Sequence, residues 1–233
     1  MVLAAGRGQR MRPLTDHTPK PLLPVRGKPL MRWPLDALRA SGHRRFVINT
    51  AWLGEQIPAA LHPWAAQEPG TDVQYSHEAQ DFGYALETAG GIARALPLLG
   101  EAFWVLAGDV FAPGFTFSTE VESRFLASHA LAHLWLVPNP PHNPAGDFGL
   151  SPEGQALNTT EGKRWTFSTI ALYRRALFEP PWCDILPGNP QGTAAPLAPL
   201  LRRAMDAGRV SADIYTGDWT DVGTPERLAQ LNA

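Results

Sequence analysis

Short apolar segments alternate with amphipathic ones along roughly the first 137 residues, and this alternation constrains the fold more than any other feature of the chain. MVLAA is apolar and runs straight into Gly6, as a buried strand entering a loop does. In PLMRWPLDALRASG, Leu30, Trp33, Leu35 and Leu38 share a helical face, and Gly42 stops the helix. RRFVINT, TDVQYSHE, AFWVLAGDV and LAHLWLVPN read as strands; WLGEQIPAALHPW and ALETAGGIARALPLLG read as helices between them. Such alternation predicts a largely parallel sheet covered on both faces. Later residues are richer in strands. FGLSPEGQAL reads as a hairpin, RWTFSTIALYRR as a strand, APLAPLLRRAMDAG as a helix, and VSADIYTG and DWTDVG as short strands. TPERLAQLN closes the chain as a helix, with Thr224 as its cap and Pro225 at its first position. The expected fold class is α/β: a Rossmann-like, mixed and mostly parallel sheet with helices on both faces and a small strand-rich lobe. Ligands of such sheets sit beyond the carboxyl ends of the strands.

The 233 residues suit a single domain spanning 1–233. A net charge of −2 gives no bulk basicity toward nucleic acid or an anionic membrane, so any anion binding must be local. Cys183 is the only cysteine, which rules out an intrachain disulfide and fits a reducing cytoplasm. No apolar run approaches the ~20 residues of a membrane helix, and the apolar start breaks at Gly6 and Arg7, unlike a signal peptide. A cytoplasmic protein, monomeric or a small homo-oligomer, with no nucleic-acid or membrane partner, is expected.

The loop after the first strand, Leu3 to Pro24, holds two glycines, three arginines, one lysine and four prolines. Gly6 and Gly8 are expected to take positive φ and bring the backbone close to a ligand. Arg7, Arg10, Arg12 and Lys20 supply charge, and arginine can grip phosphate through two parallel hydrogen bonds. Lysine occurs only at 20, 28 and 163, and Lys20 is pinned between Pro19 and Pro21. GRGQRM lacks the Gly-Lys-Ser/Thr ending of a P-loop, and Met11 stands where a dinucleotide fingerprint needs its third glycine. Asp109 ends the apolar VLAGDV and Asp221 follows WT in WTDVGT. A carboxylate at a strand end is either a cap or a ligand; two at one sheet edge, beside a cationic loop, suggest a magnesium site.

The spacing Gly6-x-Gly8-x-Arg10-x-x-Pro13-x-Thr15-x-x-x-Pro19-Lys20-Pro21, with Gly108-Asp109 and Trp219-x-Asp221-x-Gly223-Thr224, resembles that of the sugar-1-phosphate nucleotidyltransferases. The resemblance runs from Met1 to about Leu231 and implies the nucleotide-diphospho-sugar transferase fold, with residues 1–137 serving the nucleotide and 138–233 the sugar. No acyltransferase or β-helix extension is expected. The implied reaction is transfer of a nucleotidyl group from an NTP to a sugar 1-phosphate, with Mg²⁺ held by Asp109 and Asp221 and catalysis by Arg10, Lys20 and Asp109. Leu3, Ala4, Ala5, Gly6, Gly8, Gln9, Arg10, Lys20, Glu78, Glu87, Thr88 and Gly90 are the implied nucleotide contacts. Asn49, Gly91, Asp147, Ser168 and Asp221 are the implied sugar-phosphate contacts. NTAWLGEQI and GDFGL lean toward UTP as donor and N-acetylmuramate 1-phosphate as acceptor, in cell-wall sugar recycling. Guanylyl or thymidylyl transfer to mannose, heptose or glucose 1-phosphate is the alternative within the family, and a non-catalytic sugar-nucleotide sensor the alternative outside it.

Several residues carry two readings. His77, Glu78 and Gln80 are candidates for reading the base. Gly90 and Gly91 serve either a ligand or a glycine-permissive helix start. Thr166 and Ser168, on one side of a strand, either face a cleft together or are edge polar groups. Lys163 fits a solvated loop better than a phosphate site.

Overall fold

The structure, a computed structural model, describes residues 1–67 and 69–233. The first half runs β1 (Val2–Ala4), β2 (Pro24–Val25), β3 (Lys28–Pro29), α1 (Arg32–Ala40), β4 (Arg45–Thr50), α2 (Gln56–Ala65), β5 (Asp72–His77), α3 (Glu78–Phe82), α4 (Glu87–Ala95), β6 (Ala102–Ala107), β7 (Val110–Phe111) and α5 (Thr119–Ala127). The second half runs β8 (Ala132–Val137), β9 (Phe148–Leu150), β10 (Ala156–Leu157), β11 (Arg164–Arg174), α6 (Ala198–Asp206), β12 (Val210–Ile214), β13 (Thr220–Asp221) and α7 (Pro225–Asn232).

Nine strands form one mixed sheet. β6, β1, β4 and β5 lie side by side and parallel. The long β11 runs antiparallel to β6, β8 and β9, while β12 lies parallel to β8. The hairpin of β9 and β10 extends the sheet beyond β11.

Strand alternation sorts side chains to the two faces. Val2, Ile48, Trp104, Leu106 and Trp135 pack with Leu35 of α1, Ile57 and Trp64 of α2, and Phe125 of α5. Val47, Phe103, Val105, Leu134 and Leu136 pack with Ile92 of α4 and Leu200 and Leu201 of α6. The mixed sheet covered on both faces is the architecture the alternation implied. A third, smaller cluster lies under the loop after β1: Met11, fully buried, meets Leu23, Val25, Leu30, Phe111, Val222 and Leu228. Met11 therefore anchors the loop from below and joins it to the carboxyl-terminal helix.

Three elements differ from the expectation. α5 is capped by Ser118, whose Oγ accepts from the Val121 amide at 3.4 Å; it is polar apart from Val121, Phe125 and Leu126, so its periodicity is faint. The strand read over TDVQYSHE stops at His77, and Glu78 begins α3. The short β2–β3 hairpin turns through Arg26 and Gly27, both at positive φ.

Asp36 organises the outer layer of α1. It accepts from Lys28 Nζ at 2.8 Å, Arg32 Nη2 at 3.2 Å and Trp64 Nε1 at 2.8 Å. Burial raises its pKa, but these donors and nearby cations outweigh that effect and hold the carboxyl below its ordinary value. A carboxyl depressed in the fold stabilises above its unfolded pKa and loses that contribution as pH falls through the folded one. Asp36→Asn is expected to lower the thermal midpoint at pH 7 by on the order of 5 °C. The gap should shrink below about pH 4, as read by melting curves across pH.

Candidate active site

Because β1, β4, β5 and β6 are parallel, their carboxyl ends share one edge, and the chemistry-bearing residues collect there. The loop leaving β1 is shaped by Gly8, at φ +65; a Cβ there would meet Thr15 Cγ2 at 3.0 Å and Lys20 Cβ at 3.3 Å. Thr15, fully buried, donates from Oγ1 to the Gly8 carbonyl at 2.8 Å. Gly6 departs from the expectation: it lies outside the left-handed region, and no atom stands within 4 Å of where its Cβ would be. It leaves room beside the backbone rather than supplying an unusual turn.

The cations of the loop fall into two groups. Arg7 stacks over Trp52, 3.3 Å from the ring centroid, and donates to the Thr15 carbonyl at 3.2 Å. The Trp52 indole donates to that same carbonyl at 2.9 Å, and Arg12 pairs with Asp16 at 2.7 Å. Arg7 and Arg12 thus hold the loop's shape. Arg10 is exposed and has no hydrogen bond or ion pair among the described residues. Lys20 opens a short 3₁₀ turn (Lys20–Leu22), and its ammonium contacts the Asp109 carboxylate.

Two adjoining clefts share Gly6, Lys20 and Asp109. One, of about 340 Å³, is lined by Leu3, Ala4, Ala5, Asn49, Ala85, Glu87, Thr88 and those three. The other, of about 310 Å³, adds Gly8, Gln9, Arg10, Met11 and Gly223. Asp221 sits on the adjoining strand: β13 pairs antiparallel with β7, and the Val222 amide donates to the Asp109 carbonyl at 2.8 Å. Asp221 Oδ1 accepts from Arg227 Nη1 and lies 2.9 Å from His142 Nε2. Among the described residues, Oδ1 of Asp109 and Oδ2 of Asp221 have no protein hydrogen bond. No group of three or more His, Cys, Asp or Glu side chains there could cage a metal. An ion held by these two carboxylates would take its remaining oxygens from phosphate and water, the coordination that suits Mg²⁺. A further cleft of about 260 Å³, lined by Met1, His43, Arg45 and Glu122 among others, lies at the opposite end of these strands.

Several sequence-based candidates lie elsewhere. Glu78 is 0% exposed; its Oε1 accepts from Asn49 Nδ2 and its Oε2 from the Leu86 amide, both at 2.7 Å. Burial raises its pKa against those donors. Gly90 and Gly91 are buried: a Cβ on Gly90 would strike the Thr193 carbonyl at 2.4 Å, and one on Gly91 would strike Glu78 Oε1 at 2.6 Å. Both are glycines because protein packs against them. Ser168 is 0% exposed and donates from Oγ to the Trp135 carbonyl at 2.7 Å, in a bulge that puts Thr169 at φ +65. Thr166 is also buried and donates to Asn139 Oδ1 at 3.0 Å, so neither hydroxyl opens into the cleft. Asp147 accepts from the Phe167 amide at 2.8 Å and from Asn143 Nδ2 at 3.2 Å, closing the 138–147 loop onto β11.

Arg227 and His142 are the site neighbours missed in the sequence. Arg227 left a trace: it lies in the first turn of a helix capped by Thr224, where a cation opposes the helix dipole unless an anion faces it. His142, in a proline-rich loop, left none.

A model of the nucleotidyl transferase family matches residues 1–157. The chain belongs to that family. It is 49% identical to N-acetylmuramate alpha-1-phosphate uridylyltransferase of Neisseria meningitidis serogroup B, over all of this chain and 96% of that protein. It is 31% identical to the Caulobacter vibrioides protein of the same name, over 97% of this chain and 92% of that one. The fold is shared with a Bacillus anthracis structure described as a glucose-1-phosphate thymidylyltransferase in complex with a sucrose, with a TM-score of 0.79 at 22% identity. That match covers 99% of this chain and 92% of the other. Among the described residues no helix is long and apolar enough to cross a membrane.

The division of the loop cations gives a direct test. Titrated with pyrophosphate in a calorimeter, Arg10→Ala should bind about tenfold more weakly than the unmodified protein. Arg12→Ala, whose side chain faces Asp16, should change the affinity by less than about threefold.

Proposed function

We propose that this chain transfers the uridylyl group of UTP to N-acetylmuramate 1-phosphate, forming UDP-N-acetylmuramate and pyrophosphate for bacterial cell-wall sugar recycling. The observation that carries this reading is that Arg10, Lys20 and Asp109 line one of the two adjoining clefts at the carboxyl edge, with Asp221 on the adjoining strand. Full-length likeness to the Neisseria meningitidis uridylyltransferase supports the choice of base and sugar.

Mg²⁺ is the proposed cofactor, held by Asp109 and Asp221; when bound it would neutralise phosphate charge and help align two anions that repel each other. The chain's own groups do the rest. Arg10, with no competing partner, grips the β- and γ-phosphates. Lys20, held beside Asp109 before substrate arrives, is already placed for a phosphate oxygen and adds charge where the leaving group develops it. The backbone from Ala5 to Gly8 borders the triphosphate, and the side with Ala85, Glu87 and Thr88 takes the base and ribose.

An oxygen of the sugar phosphate forms a bond to the α-phosphorus while the bond from that phosphorus to the bridging oxygen breaks, and pyrophosphate leaves with the electron pair. The nucleophile is already an anion, so no side chain need act as general base. The rate gain comes from alignment and charge neutralisation. Because Ser168 and Thr166 are buried, contacts to the sugar fall to other groups at the cleft mouth, with Asp147 fixing the 138–147 loop.

A matrix of five NTPs against a panel of sugar 1-phosphates, scored by pyrophosphate release, tests the assignment. UTP with N-acetylmuramate 1-phosphate should turn over fastest; another faster pair would refute the named substrates. Nucleotide binding without release for every pair would mark a sensor. Asp109→Ala and Asp221→Ala should each cut kcat by ~10³-fold or more with the fold intact by circular dichroism.

A further inference from the structure

At the nucleotide half of the cleft a polar chain runs from the lining inward to Glu78, which is buried behind it. The Ala4 amide, at the end of β1, donates to Asn49 Oδ1 at 2.9 Å. Asn49 Nδ2 donates to Glu78 Oε1 at 2.7 Å, and Glu78 Oε2 accepts from the Leu86 amide at 2.7 Å. The order of donors is fixed from both ends. The Ala4 amide can only donate, so Asn49 must turn its oxygen toward β1 and its NH₂ toward Glu78. The Leu86 amide can only donate as well, so both oxygens of Glu78 must accept. A side chain with one oxygen and one NH₂ at position 78 would set a donor against a donor, and Asn49 could not turn over to relieve it.

This chain connects two walls of one cleft. Ala4 and Asn49 line it from the strand side, and Glu87 and Thr88 from the helix side. Glu87, next to Leu86, is held at φ +57, a left-handed conformation unusual for a residue with a side chain. Strain of that kind persists only where its surroundings impose it. Gly91, one turn further along α4, leaves the space the carboxylate occupies, since a Cβ there would lie 2.6 Å from Glu78 Oε1 and 3.1 Å from Asn49 Nδ2.

We propose that Glu78 is a positioning residue for nucleotide binding: through Asn49 and the Leu86 amide it fixes the Glu87–Thr88 turn against the end of β1 and so sets the width of the half of the cleft that takes base and ribose. The inference rests on the reading of that cleft as the nucleotide site, and it adds a residue that acts without touching the substrate. An amide side chain of the same length at 78, however well packed, loses one of the two acceptors.

The test uses the full chain and two substitutions that disturb the carboxylate from different sides, Glu78→Gln and Gly91→Ala. The wild type is first assayed with ATP, CTP, GTP, dTTP and UTP, and its preferred nucleotide is used throughout. At saturating sugar phosphate, KM for the nucleotide should rise about tenfold in each variant while kcat stays within about threefold and KM for the sugar phosphate does not change. A role confined to stability would lower the melting temperature or the active fraction and leave KM for nucleotide alone; that result overturns the proposal. Hydrogen exchange on the ligand-free wild type supplies a measurement that needs no variant to fold. The Leu86 amide should exchange slowly before any nucleotide is added, and exchange at the rate of an open loop would overturn the proposal. A preferred base other than uracil would revise the substrate assignment and leave this test standing.

Discussion

The contact between Lys20 and Asp109 joins the two parts of the molecule that matter most to its chemistry. Lys20 belongs to the cationic loop after β1, and Asp109 follows β6, the strand beside β1. Four cations within a short loop repel one another unless each has an anion or the solvent. Here Arg7 and Arg12 turn to Asp16, Lys20 turns to Asp109, and Arg10 is left to the solvent. Below them Met11 fixes the backbone in an apolar cluster that includes Val222 and Leu228. The same cluster brings β13, and with it Asp221, up to β7. Loop, strand end and closing helix therefore depend on one another, although they lie far apart along the chain.

Charge complementarity runs through the site in matched layers. Asp109 and Asp221 each engage a cation, Lys20 and Arg227, through one oxygen and keep the other outside those ion pairs. A site arranged this way avoids a bare pair of carboxylates at a sheet edge, where two like charges would oppose each other. A substrate with several negative charges and a divalent ion can then join the arrangement with little reordering of side chains.

Most of the architecture was legible because its signal is repeated. Continuous apolar runs in RRFVINT and AFWVLAGDV report strands buried on both faces, and helical spacing in the segments between them reports burial on one face. Thr224 and Pro225 marked the last helix for a local reason, and Thr224 Oγ1 accepts from the Arg227 amide at 3.4 Å. α5 escaped because its buried side is narrow. At the site, the cationic loop and the two strand-end aspartates stood out because they break an apolar pattern. The glycines of ALETAGGI misled because a glycine reports only that something comes close. At Gly90 the neighbour is the Thr193 carbonyl and at Gly91 it is Glu78, and long-range packing of that kind leaves no local mark. Ser168 misled for a related reason: its strand alternates as expected, but the bulge after Phe167 is invisible in residue types.

The central claim is that one nucleoside triphosphate bridges the loop after β1 and an ion held by both aspartates. A crystal grown with Mn²⁺ and a non-hydrolysable UTP analogue, measured at the manganese edge, tests it directly. The account predicts one anomalous peak coordinated by the carboxylates of both Asp109 and Asp221, with the analogue's phosphates along Gly6 to Arg10. Manganese bound by neither aspartate, or the analogue seated in the cleft beside Met1 and His43 at the other end of the strands, would contradict it.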